Sequence, residues 1–263
     1  MRKNLVVTCL LAVAFFFSAT FASAALVTQW SYTNDANFVD WLNDEGNQDY
    51  MSVSADLNTL SWGVPSFSST TGQQSSLVLD APVSGNDLMT GWLEYGPAVD
   101  VVSITHYNYV LSSLFPTLAY GKVEATILFT PFDPAGAPQD VRTAYLEFLF
   151  FETPNNAVTP MDIFILTDPG LTQGSFDYDG FTYDYSFFGE GFGLITGAYH
   201  DFIVSQLGVN TNYFGWLTTE DGNSMAQFEL SIMASPVPEP ATMLLLGAGL
   251  LGLGIAVRRN KKN

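Results

Sequence analysis

The sequence predicts an all-β domain, a two-sheet sandwich with a jelly-roll-like arrangement, between an N-terminal signal peptide and one C-terminal transmembrane helix. Three observations support this prediction. Aromatic residues make up 14% of the chain, and aromatic side chains favour half-buried strands. Between residues 25 and 234, short alternating segments are separated by clusters of Gly, Pro, Asn and Asp, which is typical of all-β folds. Apolar, uncharged runs at both ends of the chain are typical of export and membrane insertion.

The first 24 residues are typical of a secretory signal peptide. Arg2 and Lys3 make the amino end positive, an apolar run covers residues 5–17, and Ala22 and Ala24 supply the small residues of an A-x-A cleavage site. We expect the export machinery to recognise this segment and signal peptidase to cleave after Ala24. A permanent N-terminal membrane helix is the alternative, and the shortness of the apolar run argues against it.

About ten strands are expected in the acidic domain, which we assign to residues 25–234. The clearest are residues 122–130 and 144–151. Both faces of the second run are largely apolar, which indicates a central strand that is buried on both sides. The one helix candidate is the short stretch 37–42. Further strand candidates are residues 26–33, 59–62, 76–79, 99–109 and 163–166.

Two hairpins are also expected in this domain. Asp179-Gly180 separates two alternating runs and suits a two-residue type I′ turn. A second hairpin is expected between residues 215–220 and 224–232, with the acidic and glycine-containing stretch 221–223 as its turn.

The C-terminal segment, residues 235–263, has three parts. A proline-rich motif comes first, at Val237, Pro238, Glu239 and Pro240. An uncharged run follows at residues 241–257, and as a helix it would extend about 25 Å, slightly less than the hydrocarbon core of a bilayer. A basic tail ends the chain with Arg258, Arg259, Lys261 and Lys262. Basic residues beside a span stay on the cytoplasmic side, so we expect the domain to be held outside by this single helix.

Acidic residues dominate the part of the chain between the two ends. The formal net charge of the whole chain is −18, but only Lys122 and Arg142 among the eight basic residues lie between residues 25 and 235. This stretch holds 25 of the 26 acidic residues and therefore carries a formal charge of −23. Nucleic acid is not an expected partner, because binding it requires a basic surface, and anionic lipid is disfavoured for the same reason. Cation adsorption and Ca²⁺ binding remain compatible with this charge.

Few residues of the domain suggest chemistry. The one cysteine, Cys9, lies in the signal peptide, so the exported domain has no disulfide, thiolate metal site or cysteine nucleophile. The chain has no G-x-S-x-G, H-E-x-x-H or phosphate-binding glycine motif. We therefore expect a protein that is not an enzyme and has no cofactor. A secreted hydrolase that uses two of the many carboxylates is the third alternative, but the sequence does not select the pair.

Thr105, His106 and Asn108 form the motif that most suggests a site. On a strand, His106 and Asn108 would face the same side and could share a hydrogen bond or a ligand. The alternative is a structural histidine whose ring nitrogens satisfy backbone groups of a loop. The second histidine, His200, lies beside Asp201, and a structural role is expected there too.

Two further kinds of binding are open. Ca²⁺ could bind the oxygen-rich loop 43–49 or the acidic residues Asp177, Asp179 and Asp184, although neither matches an EF-hand loop. A lectin-like, carbohydrate-binding module is the second alternative for the function, since tryptophan rings on the surface can stack on sugars. The tryptophans considered for this are Trp41, Trp62, Trp92 and Trp216.

The C-terminal segment resembles the PEP-CTERM sorting signal. The resemblance rests on the Val-Pro-Glu-Pro motif, the apolar span and the basic end, in this order. It implies that an exosortase, a membrane transpeptidase of Gram-negative bacteria that make extracellular polysaccharide, cleaves near Pro238–Pro240. The protein would then pass from a transient inner-membrane anchor to the cell surface or the extracellular space.

The domain is similar to the THxN family of PEP-CTERM proteins. Thr105-His106-Tyr107-Asn108 supplies the name-giving motif, and five other segments occur around it in the expected order. These segments are residues 30–33, 60–63, 151–155, 162–166 and 215–220. The resemblance implies a surface protein without assigned catalytic residues. Together these features predict a non-enzymatic cell-surface or matrix protein that is associated with exopolysaccharide and biofilm.

Overall fold

The computed structural model describes residues 25–237, except for residues 68, 70, 154–157 and 169–172, together with Gly249. The predicted signal peptide and the sorting segment from Pro238 onward, including the 241–257 span apart from Gly249, lie outside the described residues. In the described part of the chain, no helix is long and apolar enough to cross a bilayer. This part is mostly β-strand with one α-helix, which confirms the all-β prediction.

Fourteen strands and one helix are present in the described residues. In chain order they are β1 (Gln29–Asn43), β2 (Met51–Val53), β3 (Thr59–Trp62), β4 (Ser75–Asp80), β5 (Val83–Trp92), β6 (Val99–Asn108), β7 (Leu118–Asp133), β8 (Arg142–Phe151), β9 (Met161–Leu166), β10 (Gln173–Tyr178), β11 (Phe181–Glu190), β12 (Gly193–Ile195), α1 (Gly197–Leu207), β13 (Tyr213–Thr219) and β14 (Gly222–Pro236).

Hydrogen bonds join these strands into one continuous sheet with two halves. One half has the order β12-β13-β9-β8-β7-β1-β5, and the other has the order β10-β11-β14-β6-β4-β3-β2. The halves meet where β5 runs parallel to β14. Buried side chains of both halves share one core, for example Phe38 of β1, Trp62 of β3 and Phe150 of β8. The two predicted sheets are therefore halves of one sheet that share a core, and the jelly-roll arrangement stays a prediction.

The prediction of a helix at residues 37–42 is wrong. This stretch belongs to β1, which pairs with β7 along almost its whole length. Ala36 and Phe38 are buried on alternate positions of β1, so the core selects the two-residue period of a strand. The helix is α1 instead, which buries Ile203 and ends at Gly208 with a φ of 70°.

The first expected hairpin is confirmed and the second is wrong. β10 and β11 pair across Asp179 and Gly180, whose φ values of 45° and 81° suit a type I′ turn. By contrast, β13 pairs with β9 and β12, whereas β14 pairs with β11, β6 and β5. The turn at Glu220 and Asp221 therefore carries the chain from one half of the sheet to the other. β13 and β14 thus lie on opposite sides of the shared core, to which they contribute Trp216 and Ala226.

Both ends of the described domain meet the same turn between β10 and β11. The amide of Ala25 donates to Asp179 Oδ2 at 2.7 Å, and the amide of Val237 donates to the carbonyl of Gly180 at 3.1 Å. Pro236 is the last residue of β14, so the sheet extends two residues beyond the predicted domain boundary at 234. The first residue after the predicted signal peptide and the first residue of the sorting motif therefore lie at one pole of the domain.

Candidate functional site

His106 lies in the core between the two halves of the sheet. Its side chain is fully buried, and its ring stacks on Trp62 with a centroid distance of 5.3 Å. Phe150 and Phe164 contact the ring edge to face. Nδ1 lies 2.9 Å from Oγ1 of Thr218 on β13. The expectation that the ring would bind loop backbone is wrong, because its partner is a side chain of the facing half.

Burial determines the protonation state of His106. Removal from water lowers the pKa of the ring to about 3, because an apolar surrounding disfavours the charged form. The ring is therefore neutral at physiological pH. Its Nε2 atom has no hydrogen-bond partner among the described residues. A neutral ring in this position acts as a polar connection inside an aromatic core.

Asn108 lies two residues further along β6 and points to the same side. It is 1% exposed, and its Nδ2 donates to Asp162 Oδ2 at 2.7 Å and to Glu220 Oε2 at 3.2 Å. His106 and Asn108 do not share a hydrogen bond. They instead contact Thr218 and Glu220, which are also two residues apart. Two parallel side-chain contacts thus link the end of β6 to the end of β13.

Three carboxylates meet around this amide group. Glu152 follows β8, Asp162 is the second residue of β9, and Glu220 follows β13. One oxygen of each lies within 4.8 Å of the oxygens of the other two. We name Glu152, Asp162, Glu220 and Asn108 the carboxylate cluster. Adjacent antiparallel strands bring their connected ends together, which explains why β8 and β9 deliver two of these acids to one place.

Hydrogen bonds hold the carboxylates in position. The backbone amide of Thr153 donates to Asp162 Oδ1 at 2.8 Å. The hydroxyl of Thr117 donates to Glu152 Oε2 at 3.4 Å. Asp162 itself is fully buried. The acids are therefore fixed by the fold and are not a loose group of surface side chains.

The electrostatics of the cluster favour an added positive charge or bound protons. Burial and the charges of Asp162 and Glu220 raise the pKa of Glu152. Burial likewise raises the pKa of Asp162, against the opposing effect of the Thr153 amide. Both basic residues of this part of the chain are engaged elsewhere. Lys122 Nζ lies 2.8 Å from Glu147, and Arg142 lies over the ring of Phe176 at 4.3 Å.

The remaining predicted site residues lie apart from the cluster. Thr105 faces away from His106 on β6 and pairs with Val78 and Met225. His200 lies on α1, where Nε2 contacts the carbonyl of Thr211 at 2.9 Å. Its neighbour Asp201 is exposed.

The predicted Ca²⁺ loops are organised by their own hydrogen bonds. Asn43 Oδ1 accepts from the amides of Glu45 and Asn47, so it serves the turn. Asp177 accepts from the hydroxyl of Thr182 at 2.6 Å. Among the described residues, a group of three acids within metal-binding distance occurs in the carboxylate cluster and not in these loops.

The tryptophans considered for carbohydrate binding differ in exposure. Trp62 and Trp216 are buried in the core, so neither offers a surface for a sugar. Trp41 is partly buried against the same core. Trp92 is 49% exposed, and its ring lies 6.0 Å from that of Phe181. Only Trp92 among these four presents a largely open aromatic ring.

Sequence reasoning did not select Glu152, Asp162 or Glu220. With 25 acids between residues 25 and 235, composition does not distinguish them. A signal was nevertheless present, because each lies in a segment that carries the resemblance to the THxN family. The structure brings four of these segments to the THxN motif, through Trp62, Glu152, Asp162 and Thr218–Glu220. The fifth contributes Trp30, which lies in a separate core cluster.

Comparison with known proteins bears on the end of the chain. No protein of curated function matches the sequence. Membership of the THxN family stays a prediction. Residues 236–260 match the PEP-CTERM protein-sorting motif, which confirms the predicted sorting signal. The motif begins at the last residue of β14. The chain is therefore an exported protein that carries a PEP-CTERM sorting motif and is processed by an exosortase.

Proposed function

We propose that the protein is a non-enzymatic component of the cell surface or extracellular matrix of a Gram-negative bacterium, associated with exopolysaccharide and biofilm. Signal peptidase removes residues 1–24, and the apolar segment 241–257 then holds the domain on the outer side of the inner membrane. An exosortase cleaves near Pro238–Pro240 and transfers or releases the folded domain.

The observation that carries this proposal is the meeting of both chain ends at the β10–β11 turn. Ala25 and Val237 each donate a backbone hydrogen bond to this turn. Residues 25–237 therefore form the unit between two processing segments, and both cleavages occur at one pole. The carboxylate cluster lies near the start of β14, and the sorting motif follows its end. At about 3.3 Å per residue, the 15 residues of β14 separate the two by roughly 45 Å.

Burial of the chemically capable residues supports a non-enzymatic role. His106, Asn108 and Asp162 are each at most 1% exposed, so a polymeric substrate cannot reach them. Hydrolysis of a glycosidic bond requires both carboxyl groups to flank that bond. A secreted hydrolase that uses this cluster would need a large opening of the fold.

The test uses the producing strain and three forms of the tagged full chain. Wild-type protein should appear on the surface or in the medium without residues 258–263. The Glu239→Ala variant should stay in the inner membrane with its basic tail, whereas an exposed-site control, Glu190→Ala, should be processed normally. In a strain unable to make exopolysaccharide, processed protein should be lost from the matrix fraction. Normal matrix association in that strain would contradict the proposal.

A lectin-like module is the second candidate, favoured by an aromatic surface around Trp92. Trp92 is 49% exposed and lies against Phe181. Tyr95, in the β5–β6 connection, and Phe188, on β11, are 37% and 47% exposed, and their ring centroids lie 6.4 Å apart. Exposed aromatic rings stack on sugar faces. A glycan array with wild-type protein, Trp92→Ala and the equally exposed control Phe132→Ala tests this: binding lost only in Trp92→Ala supports the lectin.

A further inference from the structure

We propose that Glu152, Asp162, Glu220 and Asn108 bind one Ca²⁺ ion at the end of the domain opposite the sorting motif. The inference does not depend on the proposed surface function. It concerns a site that neither the sorting motif nor the sequence-predicted calcium loops include.

The donor set determines the class of cation. The cluster offers three carboxylates whose oxygens lie within 4.8 Å of one another, and the amide group of Asn108 contacts two of them. Oxygen ligands suit hard cations such as Ca²⁺ and Mg²⁺, whereas zinc and copper prefer imidazole and thiolate ligands. The domain has no cysteine, and His106 directs Nδ1 to Thr218. Ca²⁺ accepts six to eight oxygens in irregular geometry, which three carboxylates, an amide oxygen and water can supply.

Asn108 gives independent evidence that a cation belongs here. Its side chain is 1% exposed and its amide group is directed into the cluster, yet its Oδ1 has no hydrogen-bond partner among the described residues. A buried acceptor without a partner is costly. A half-turn of the amide exchanges Oδ1 and Nδ2 and places Oδ1 beside the oxygens of Asp162 and Glu220. That arrangement is repulsive without a cation and becomes a ligand set with one.

The surroundings of the cluster hold the ligands in place before binding. Thr153 fixes Asp162 through its backbone amide, and Thr218 fixes the strand that leads to Glu220 through its contact with His106. Ligands on fixed strands lose little freedom on binding, which increases affinity. His106 therefore acts as a positioning residue for the site and not as a ligand.

The site connects the two halves of the sheet. Asn108 comes from β6 in one half, whereas Glu152 directly follows β8 and Asp162 lies on β9 in the other. Glu220 lies in the crossing between them. β6 and β13 do not pair through backbone hydrogen bonds. A cation bound to all four residues would join the two halves of the sheet at this place. Ca²⁺ binding should therefore stabilise the folded domain.

The experiment measures thermal unfolding of the full chain in detergent after treatment with EGTA. CaCl₂ is then compared with MgCl₂ and with NaCl at matched ionic strength. A ligand at a hundredfold excess over its Kd stabilises by RT ln(1 + [L]/Kd), which for a domain of this size corresponds to a rise of about 5–10 °C in Tm. Equilibrium dialysis should give one Ca²⁺ per chain. Equal effects of CaCl₂ and NaCl, with no bound Ca²⁺, would overturn the proposal.

Matched variants locate the site. Asp162→Asn and Glu152→Gln keep the shape of the side chains but remove a charge, so the metal-free protein should melt at an equal or higher temperature and its response to Ca²⁺ should disappear. Asp49→Asn and Asp177→Asn, in the two calcium loops predicted from sequence, should leave the response unchanged. A response lost in either of these loop variants would place the site there and overturn the assignment.

Asn108 provides a second, independent pair of variants. Asn108→Asp retains an oxygen ligand and adds a fourth carboxylate, so it should lower the Tm of the metal-free protein and keep or increase Ca²⁺ binding by dialysis. Asn108→Leu removes the ligand and should reduce Ca²⁺ affinity at least tenfold. If Asn108→Leu binds Ca²⁺ as tightly as wild type does, the assignment of Asn108 as a ligand is wrong.

Discussion

His106 on β6 contacts Thr218 on β13 across the core, with 2.9 Å between Nδ1 and Oγ1. The two strands belong to different halves of the sheet and do not pair with each other. Their side chains therefore supply the connection that backbone hydrogen bonds do not. Two residues further on, Asn108 repeats the connection to Glu220. One strand of the THxN motif thus organises both the aromatic core and the carboxylate cluster.

Replacing His106 should destabilise the domain strongly. His106→Ala removes a fully buried ring that four aromatic side chains contact, and large-to-small core substitutions of this kind cost about 3–5 kcal/mol. Thr218→Val removes the partner hydroxyl and should cost about 1–3 kcal/mol. Because the two groups share one contact, the double variant should be less destabilised than the sum of the single variants.

Urea unfolding of the four proteins in this cycle measures the coupling energy. His200→Ala is the control, because His200 is partly exposed on α1, outside the shared core, where Nε2 contacts the Thr211 carbonyl at 2.9 Å and the ring lies beside Tyr213. Its effect should be below about 1 kcal/mol. Strict additivity of His106→Ala and Thr218→Val would show that the 2.9 Å contact carries no energy of its own.

The buried imidazole should make the domain sensitive to acid. The folded pKa of His106 is about 3, and a histidine in the unfolded chain titrates near 6.5. Between these values the unfolded chain binds the extra proton, so the stability that the neutral ring provides is lost as pH falls from 6.5 towards 3, by up to about 1.4 kcal/mol per pH unit. His106→Gln does not titrate, and its unfolding free energy should fall less steeply over this range. Identical slopes would refute the buried neutral state.

The carboxylate cluster should give the opposite pH dependence when divalent cations are removed. Its surroundings raise the pKa of Glu152 and of Asp162 in the folded state. The folded protein then holds protons that the unfolded chain releases. The stability that the protonated carboxyl groups provide is therefore present below pH 4.5 and decreases as pH rises. Unfolding in EGTA, with Glu152→Gln as the comparison, should show a shallower decline in the variant. A decline of the same steepness in both proteins would mean that Glu152 titrates normally.

Added salt should stabilise the exported domain. Its formal charge of −23 produces self-repulsion that dissolved ions screen. The Tm at neutral pH should rise as NaCl is increased from low to physiological concentration, and sucrose at equal osmolality controls for effects unrelated to charge. A Tm that is unchanged or lower in NaCl would indicate that the acidic groups are too well separated to repel one another.

Cleavage by signal peptidase should create an ion pair at the new amino terminus. The Ala25 nitrogen lies 2.7 Å from Asp179 Oδ2, and after cleavage it would be a charged ammonium group. Mass spectrometry of the surface protein should find Ala25 as its first residue. Asp179→Asn should lower stability by about 0.2–1 kcal/mol, the usual value for an exposed pair, whereas Asp184→Asn on the adjoining strand should not. A mature sequence that begins several residues after Ala25 would contradict this prediction.

The sequence determined the features that depend on neighbouring residues. The sorting motif at residues 236–260 is a local succession of prolines, apolar residues and basic residues. The Asp179-Gly180 turn follows from two residues that tolerate a positive φ, and the acidic balance follows from composition. None of these features requires knowledge of which strands become neighbours.

The tertiary structure alone decided the partners of the polar residues. Asp162 and Glu220 are 58 positions apart in the chain, and Asn108 is 112 positions from Glu220. Their meeting depends on the crossing from β13 to β14. The sequence of this crossing resembles that of a hairpin, so the sequence alone predicted the wrong pairing. Burial then changes the chemistry of these groups, because an acid or an imidazole removed from water titrates differently from the same residue on the surface. Local sequence specifies which groups are present, whereas packing of distant strands determines which are buried together.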